Sequence, residues 1–197
     1  MKLVLASKNQ HKLVEMQTIL GQLGLEVVLE SQVGVDVDVE ETGVTFAENA
    51  MLKAKAVMEA SGMAAIADDS GLVVDALDGA PGVYSARYGG KGSDPERTAY
   101  LLENMTNVPE EKRTARFVSA IACALPDGRT VTAEGSCEGV ITFAVKGENG
   151  FGYDPVFYVP ELGKTFAEAS ASEKNAISHR GKALNEFLKA WKEAGLC

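Results

Sequence analysis

Apolar positions fall along this chain in short unbroken runs and in stripes of helical spacing, and the two alternate from the start. Lys2 to Ala6 predicts a strand, and Leu13, Val14, Leu20 and Leu23 predict a helix that Gly24 stops. A second strand is predicted from Leu25 to Leu29. An alternating acidic run through Asp36, Asp38 and Glu40 then reads as an edge strand with one polar face. Thr45 and Glu48 have capping-box spacing and open a helix with Phe46, Ala50, Ala54 and Val57 on one side and Gly62 past its end. Lys53 and Lys55 read as the surface of that helix. Two buried strands, around Ile66 and from Leu72 to Leu77, flank Asp68-Asp69-Ser70-Gly71. Beyond a turn at 78–82, Gly89, Gly90 and Gly92 predict a mobile loop, and Asp94-Pro95 predicts a helix start, cap then first-turn proline. Ala115 to Leu125 predicts a strand, Pro126-Asp127-Gly128 a hairpin turn into Arg129 to Glu134, and Gly135 to Phe143 a further strand. This middle third reads as scaffold. A last helix is predicted to open near Ser172-Glu173-Lys174, with Ile177, Leu184, Phe187, Leu188 and Trp191 as its stripe.

At 197 residues, 46% hydrophobic and 24% charged, the chain is long enough for one large domain or two closely joined lobes. Its first residues turn polar at Lys8 and Asn9, too soon for a signal peptide or a membrane span, which predicts a cytoplasmic protein. A net charge of -9 is the wrong field for gripping a nucleic-acid polymer. An anionic ligand must therefore be small and met by a local basic cluster or a metal. Cys123, Cys137 and Cys197 are odd in number and lack Cys-x-x-Cys spacing, which argues against a disulfide framework or a zinc site.

Against that background the Asp68-Asp69 pair is costly, because Asp is depleted in strands and a buried carboxylate without a partner pays for its desolvation or neutralises. Two readings stay open: an Asp-Ser-Gly turn, or a strand-end site whose acidic oxygens hold a hard cation such as Mg²⁺ or activate water. Ser7-Lys8-Asn9-Gln10-His11-Lys12 is either a capped helix start with solvated lysines or a phosphate site at a helix N-terminus. The glycine spacing of a P-loop is absent. Glu40 and Glu41 read as a solvated face or as carboxylates for a neighbouring metal, and Asn49, a mediocre helix former, sits where its helix could point at the same cluster. In Gly150-Phe151-Gly152-Tyr153-Asp154-Pro155, the glycines either free the backbone to place a ring over a flat ligand or frame a core aromatic. Arg180 falls inside the apolar stripe of the last helix and needs an acceptor, a structural carboxylate or a ligand carbonyl. His179 beside it reads as a rim donor, and Lys174 is near enough to reach the same pocket.

Taken together, Ser7-x-Asn9-x-x-Lys12, Glu40-Glu41-Thr42-Gly43, Ala67-Asp68-Asp69-Ser70-Gly71, Gly150-Phe151-Gly152-Tyr153-Asp154-Pro155 and Ser178-His179-Arg180-Gly181 closely resemble the inosine/xanthosine triphosphate pyrophosphatase family. The resemblance implies an α/β fold, with a long mixed central sheet flanked by helices. It implies a single domain over residues 1–197 in two lobes, with the active site in a cleft between them. It further implies a cytoplasmic, Mg²⁺-dependent homodimer that hydrolyses ITP, dITP and XTP to the monophosphate and pyrophosphate and so cleanses the nucleotide pool. On this likeness Ser7, Lys8, Asn9, Gln10, His11 and Lys12 would hold the triphosphate, Asp69 would be general base and metal site, Glu40 a further metal ligand and Asp68 a support. Ser70 would contact substrate, Phe151, Gly152, Tyr153 and Asp154 would cradle the base, and Lys174, His179 and Arg180 would read its 6-keto edge. Such donors leave a 6-amino group unpaired, which accounts for rejecting ATP but not GTP. A Maf-like pyrophosphatase for other nucleotides and a nucleotide binder without turnover are the alternatives. His179-Arg180 and the Phe151 loop argue against the first, and the adjacent carboxylates against the second.

Overall fold

The computed structural model describes residues 1–196, so Cys197 lies outside the described residues. Seven strands form one sheet: β1 (Lys2–Leu5), β2 (Glu26–Leu29), β3 (Ala65–Val74), β4 (Thr114–Ala124), β5 (Thr130–Ile141), β6 (Phe157–Val159) and β7 (Lys164–Thr165), in the order β2-β1-β3-β4-β5-β6-β7. β1 runs parallel to β2 and β3, whereas β6 is antiparallel to β5 and β7, so the sheet is mixed as expected. The helices are α1 (Gln10–Leu20), α2 (Phe46–Ser61), α3 (Asp94–Asn104), α4 (Ala171–Ile177) and α5 (His179–Glu193). None among the described residues is long and apolar enough to cross a membrane.

The chain forms two compact units. The first comprises residues 1–69, 119–135 and those from 179 on. Strand alternation gives it two cores. Leu3, Leu5, Ile66 and Ile121 point one way and bury Met16 and Leu20 of α1 with Leu184, Phe187 and Trp191 of α5. Val4, Ala65, Ala67, Ala120 and Ala122 point the other way, onto Ala50, Ala54 and Val57 of α2. The second unit, residues 70–118 and 136–178, is centred on Leu72, Leu101 and Met105 with Phe117, Phe157 and Phe166. The Phe117 and Phe157 ring centroids are 4.5 Å apart.

Several boundaries differ from the sequence expectation. Asp68-Asp69-Ser70-Gly71 is no turn: β3 runs unbroken through it and ends at Val74. Residues 36–40 form no strand. β5 is one strand through Gly135, where any Cβ would lie 2.3 Å from the Ala183 nitrogen of α5, so the glycine is required by the close helix. Leading into the Gly-rich stretch, Gly82–Gly90 forms 3-10 turns kinked at Arg87, Tyr88 and Gly89, which set Tyr88 5.0 Å from Tyr100 of α3. Ser93, not Asp94, caps α3. The last helix is two: Ser170 and Glu173 make the capping box of α4, and Ser178, with extended backbone, separates it from α5. Cys123 and Cys137 are buried thiols, and burial pushes the Cys123 pKa up to about 12.

Candidate functional site

Because the acidic pair lies within a strand, its two side chains project to opposite faces of the sheet. Asp68, on the face of Ile66, is 2% exposed and surrounded by donors. Ser119 Oγ of β4 donates to Oδ1 at 2.7 Å, while Arg180 Nε at 3.0 Å and Lys12 Nζ at 2.9 Å meet Oδ2. Arg180 has Glu15 of α1 as its second carboxylate, at 2.5 Å. Burial opposes its charge, but Asp68 and Glu15 more than offset this and hold the guanidinium above its ordinary pKa. The acceptor that the apolar stripe demanded is thus a pair of structural carboxylates. His179 is buried rather than on a rim.

Asp69 faces α2. Lys53 Nζ reaches its Oδ1 at 2.8 Å and Glu41 at 2.9 Å, and also donates to the Asp68 carbonyl at 3.2 Å. The other oxygen, Oδ2, is buried and has no hydrogen-bond partner among the described residues. Burial raises the Asp69 pKa above the ordinary carboxylate value, Lys53 holds it down, and Glu41 adds to the rise. Lys12 is driven below the ordinary lysine value by its own burial, against the pull of Asp68.

The loop between β1 and α1 is a capped helix start: Asn9 Oδ1 accepts from the His11 and Lys12 backbone N–H groups at 2.9 and 3.3 Å, and Ser7 Oγ from that of Asn9 at 3.1 Å. Ser7, Lys8, Asn9 and Lys12 nonetheless line a hollow of about 380 Å³ together with Lys53 and Glu41. Lys8, on Asp36 at 2.5 Å, is exposed, as are Gln10 and His11. Glu40 is exposed too, and it is Glu41 that shares Lys53 with Asp69. Asn49 Oδ1 accepts the Gly43 N–H at 2.8 Å and pins the bend that follows both glutamates.

In the second unit, Gly150 and Gly152 both have positive φ, 74° and 62°, which tolerates few other residues. Asp154 Oδ2 accepts from the Phe151 N–H at 3.1 Å and from Lys174 Nζ at 2.7 Å, and Lys174 lies 4.8 Å from the Phe151 ring centroid. Tyr153 is buried, its hydroxyl donating to the Ser85 carbonyl at 2.7 Å. Its role in this loop is that of an anchor. Ser70 is half-buried in β3, one residue past Asp69.

Three residues of the charged cluster escaped the sequence reading. Lys53 was read as surface, yet it lies four residues after Asn49 on the same helix face, and Glu15 likewise follows Lys12 by three. Ser119 lies in the stretch read as scaffold, where its even spacing from Ile121 and Cys123 puts it on the Asp68 face.

Residues 3–190 match the profile of the Ham1 family. The chain is 53% identical over 193 residues to the dITP/XTP pyrophosphatase of Thermus thermophilus, covering 98% of this chain and 93% of that protein. Among solved structures it is similar to the Ham1 protein of Staphylococcus aureus, with TM-score 0.88 and 45% identity, covering 99% and 100% of the two chains. The HAM1 protein of Coxiella burnetii aligns with TM-score 0.89 and 43% identity, covering 98% and 99%.

Proposed function

The chain belongs to the Ham1 family, and we infer that it is a nucleoside-triphosphate pyrophosphatase that hydrolyses ITP, dITP and XTP to the monophosphate and pyrophosphate. The observation that carries the chemistry is the buried Asp69 Oδ2, a carboxylate oxygen without a donor, beside an Asp68 whose oxygens are both engaged.

A divalent cation fits this donor set. Among the described residues no three His, Cys, Asp or Glu side chains form a metal cage. Mg²⁺ commonly needs only one or two protein carboxylates and completes its shell with water and substrate phosphate. Asp69 would hold it, with Glu40 and Glu41 as the further carboxylates. When bound, it supplies charge neutralisation on the phosphate oxygens.

Asp69 orients a water and takes its proton as the water attacks the α-phosphorus in line, and the bond to the bridging oxygen breaks with pyrophosphate as leaving group. Lys12 and Lys53 exchange carboxylate for phosphate contacts, joined by Ser7, Lys8, Asn9, Gln10 and His11, and Ser70 contacts the substrate. Phe151 stacks on the base, with Gly152, Tyr153 and Asp154 shaping its loop. Lys174 and His179 offer donors that a 6-keto purine satisfies and a 6-amino purine does not, and Arg180, held on Asp68 and Glu15, fixes the start of α5 that carries His179. The same proposal makes the enzyme a cytoplasmic homodimer; a monomeric mass by light scattering would remove the dimer.

The test is pyrophosphate release from ITP, XTP, GTP, ATP and dTTP with and without Mg²⁺. Release from ITP and XTP alone, and only with Mg²⁺, is expected. Cleavage of dTTP alone would assign a pyrimidine pyrophosphatase, and no cleavage at all a binder.

A further inference from the structure

We propose that Asp94 and Thr98, in the first two turns of α3, are positioning residues for the nucleobase: they hold both peptide groups of Gly152 and thereby set the ring of Phe151 beside it. The proposal rests on Phe151 being the base platform. The Gly152 N–H donates to Asp94 Oδ2 at 2.8 Å, and Thr98 Oγ1 donates to the Gly152 carbonyl at 3.4 Å. The first bond is charge-assisted and the stronger of the two. Asp94 is itself oriented, because its other oxygen pairs with Arg97, whose Nη1 donates to the Lys91 carbonyl at 3.1 Å. Ser93 makes this possible by taking the helix cap, its Oγ accepting from the Glu96 N–H, which releases the Asp94 carboxylate for Gly152.

The two bonds restrain this turn from the α3 side. A hollow of about 340 Å³ lies there, bounded by Pro95, Ala99 and Leu102 of α3 and by Val145, Gly150 and Phe151 of the loop. Two positive-φ glycines flank Phe151, and glycine is the residue whose backbone freedom costs most to remove. Asp154 fixes the Phe151 N–H from within the loop. Asp94 fixes the next peptide from outside it and Thr98 the one after, so the ring is held between restrained peptide groups.

The experiment measures kcat and KM for ITP with Mg²⁺ on the full chain, and the inhibition constant of inorganic tripolyphosphate as a probe that lacks a base. Asp94→Ala is expected to raise the ITP KM about tenfold, equivalent to about 1.4 kcal/mol, with kcat and tripolyphosphate inhibition unchanged. Thr98→Val, which removes only the hydroxyl, should raise KM about threefold, as suits a long neutral bond. Thr98→Ser, which keeps the donor, should restore the parental KM, and Asp94→Asn, which keeps the acceptor but loses the charge and the Arg97 pair, should fall between Asp94→Ala and the parent. Unchanged KM in both Asp94→Ala and Thr98→Val overturns the proposal, as does an equal rise in KM and in the tripolyphosphate constant. Thr98→Val carries the test if Asp94→Ala does not fold. Phe151→Ala separates the two layers: unchanged KM there removes the platform and this proposal with it, whereas raised KM there with parental values in the α3 variants removes the α3 proposal alone.

Discussion

The two faces of β3 carry neighbouring aspartates in opposite states. On the α1/α5 face, Asp68 meets Ser119, Lys12 and Arg180, and Arg180 has Glu15 besides. On the α2 face, Asp69 meets one ammonium, shared with Glu41, and keeps an oxygen without a donor. A buried charge with full hydrogen bonding is structural, because removing it strands its partners. A buried charge left partly unsatisfied is a destabilising feature, retained where a ligand or a reacting water completes it. The contrast teaches that adjacency in sequence says little about role once strand alternation sends two side chains into different surroundings.

The sharpest way to break this comparison is Asp69→Asn. With the proposed base gone, pyrophosphate release from ITP should fall by about a thousandfold, while the melting temperature holds or rises and nucleotide still binds by calorimetry. Full turnover would remove Asp69 as the base. Asp68→Ala should do the reverse in stability: it leaves the Arg180 and Lys12 cations facing each other, and denaturant unfolding should show a loss on the order of 3 kcal/mol. A loss no larger than that of an average surface substitution would mean that Glu15 alone suffices for Arg180. Ser119→Ala probes the same face more gently. It deletes one buried donor to a charged acceptor, and about 1.5 kcal/mol of stability should go with it.

How much of this was legible depended on whether the signal was periodic. β1, β2, α1 and α2 are readable because their apolar spacing acts within a few residues, as do Thr45 and the positive-φ Gly62 at the ends of α2 and the positive-φ Gly24, which ends the 3-10 turn after α1. The burial cost of the acidic pair marks it in the sequence, but its setting is hidden there, since Asp-Ser-Gly composition favours a turn and only the sheet order, with β3 between β1 and β4, makes it a strand. Lys53 was lost for the opposite reason: a lysine on a helix is normally solvated, and its burial depends on Glu41 and Asp69, twelve and sixteen residues away in sequence. The break at Ser178 was hidden because Ile177 and Leu184 continue one stripe across it. Motif resemblance supplied the chemistry that periodicity could not.

The smallest effect tests the comparison at its root, in the ionisation of Asp69 itself. Burial raises this carboxyl, and the charge and hydrogen bond of Lys53 restrain the rise. In protein freed of divalent cations, carbon-detected NMR should find Asp69 titrating above an ordinary aspartate, and Lys53→Met should move it higher still. The sign carries to stability. A carboxyl whose folded pKa exceeds its unfolded one favours the folded state most fully below the unfolded value, and that contribution is lost as pH rises through the folded value. Metal-free protein should therefore lose stability relative to Asp69→Asn as pH rises across that window, and added Mg²⁺ should reverse the loss, because a cation on Oδ2 favours the ionised form. An Asp69 that titrates at or below the ordinary value, or that Lys53→Met shifts downward, would show the α2 face to be as fully compensated as the face of Asp68, and the division of labour between the two aspartates would have to be sought elsewhere.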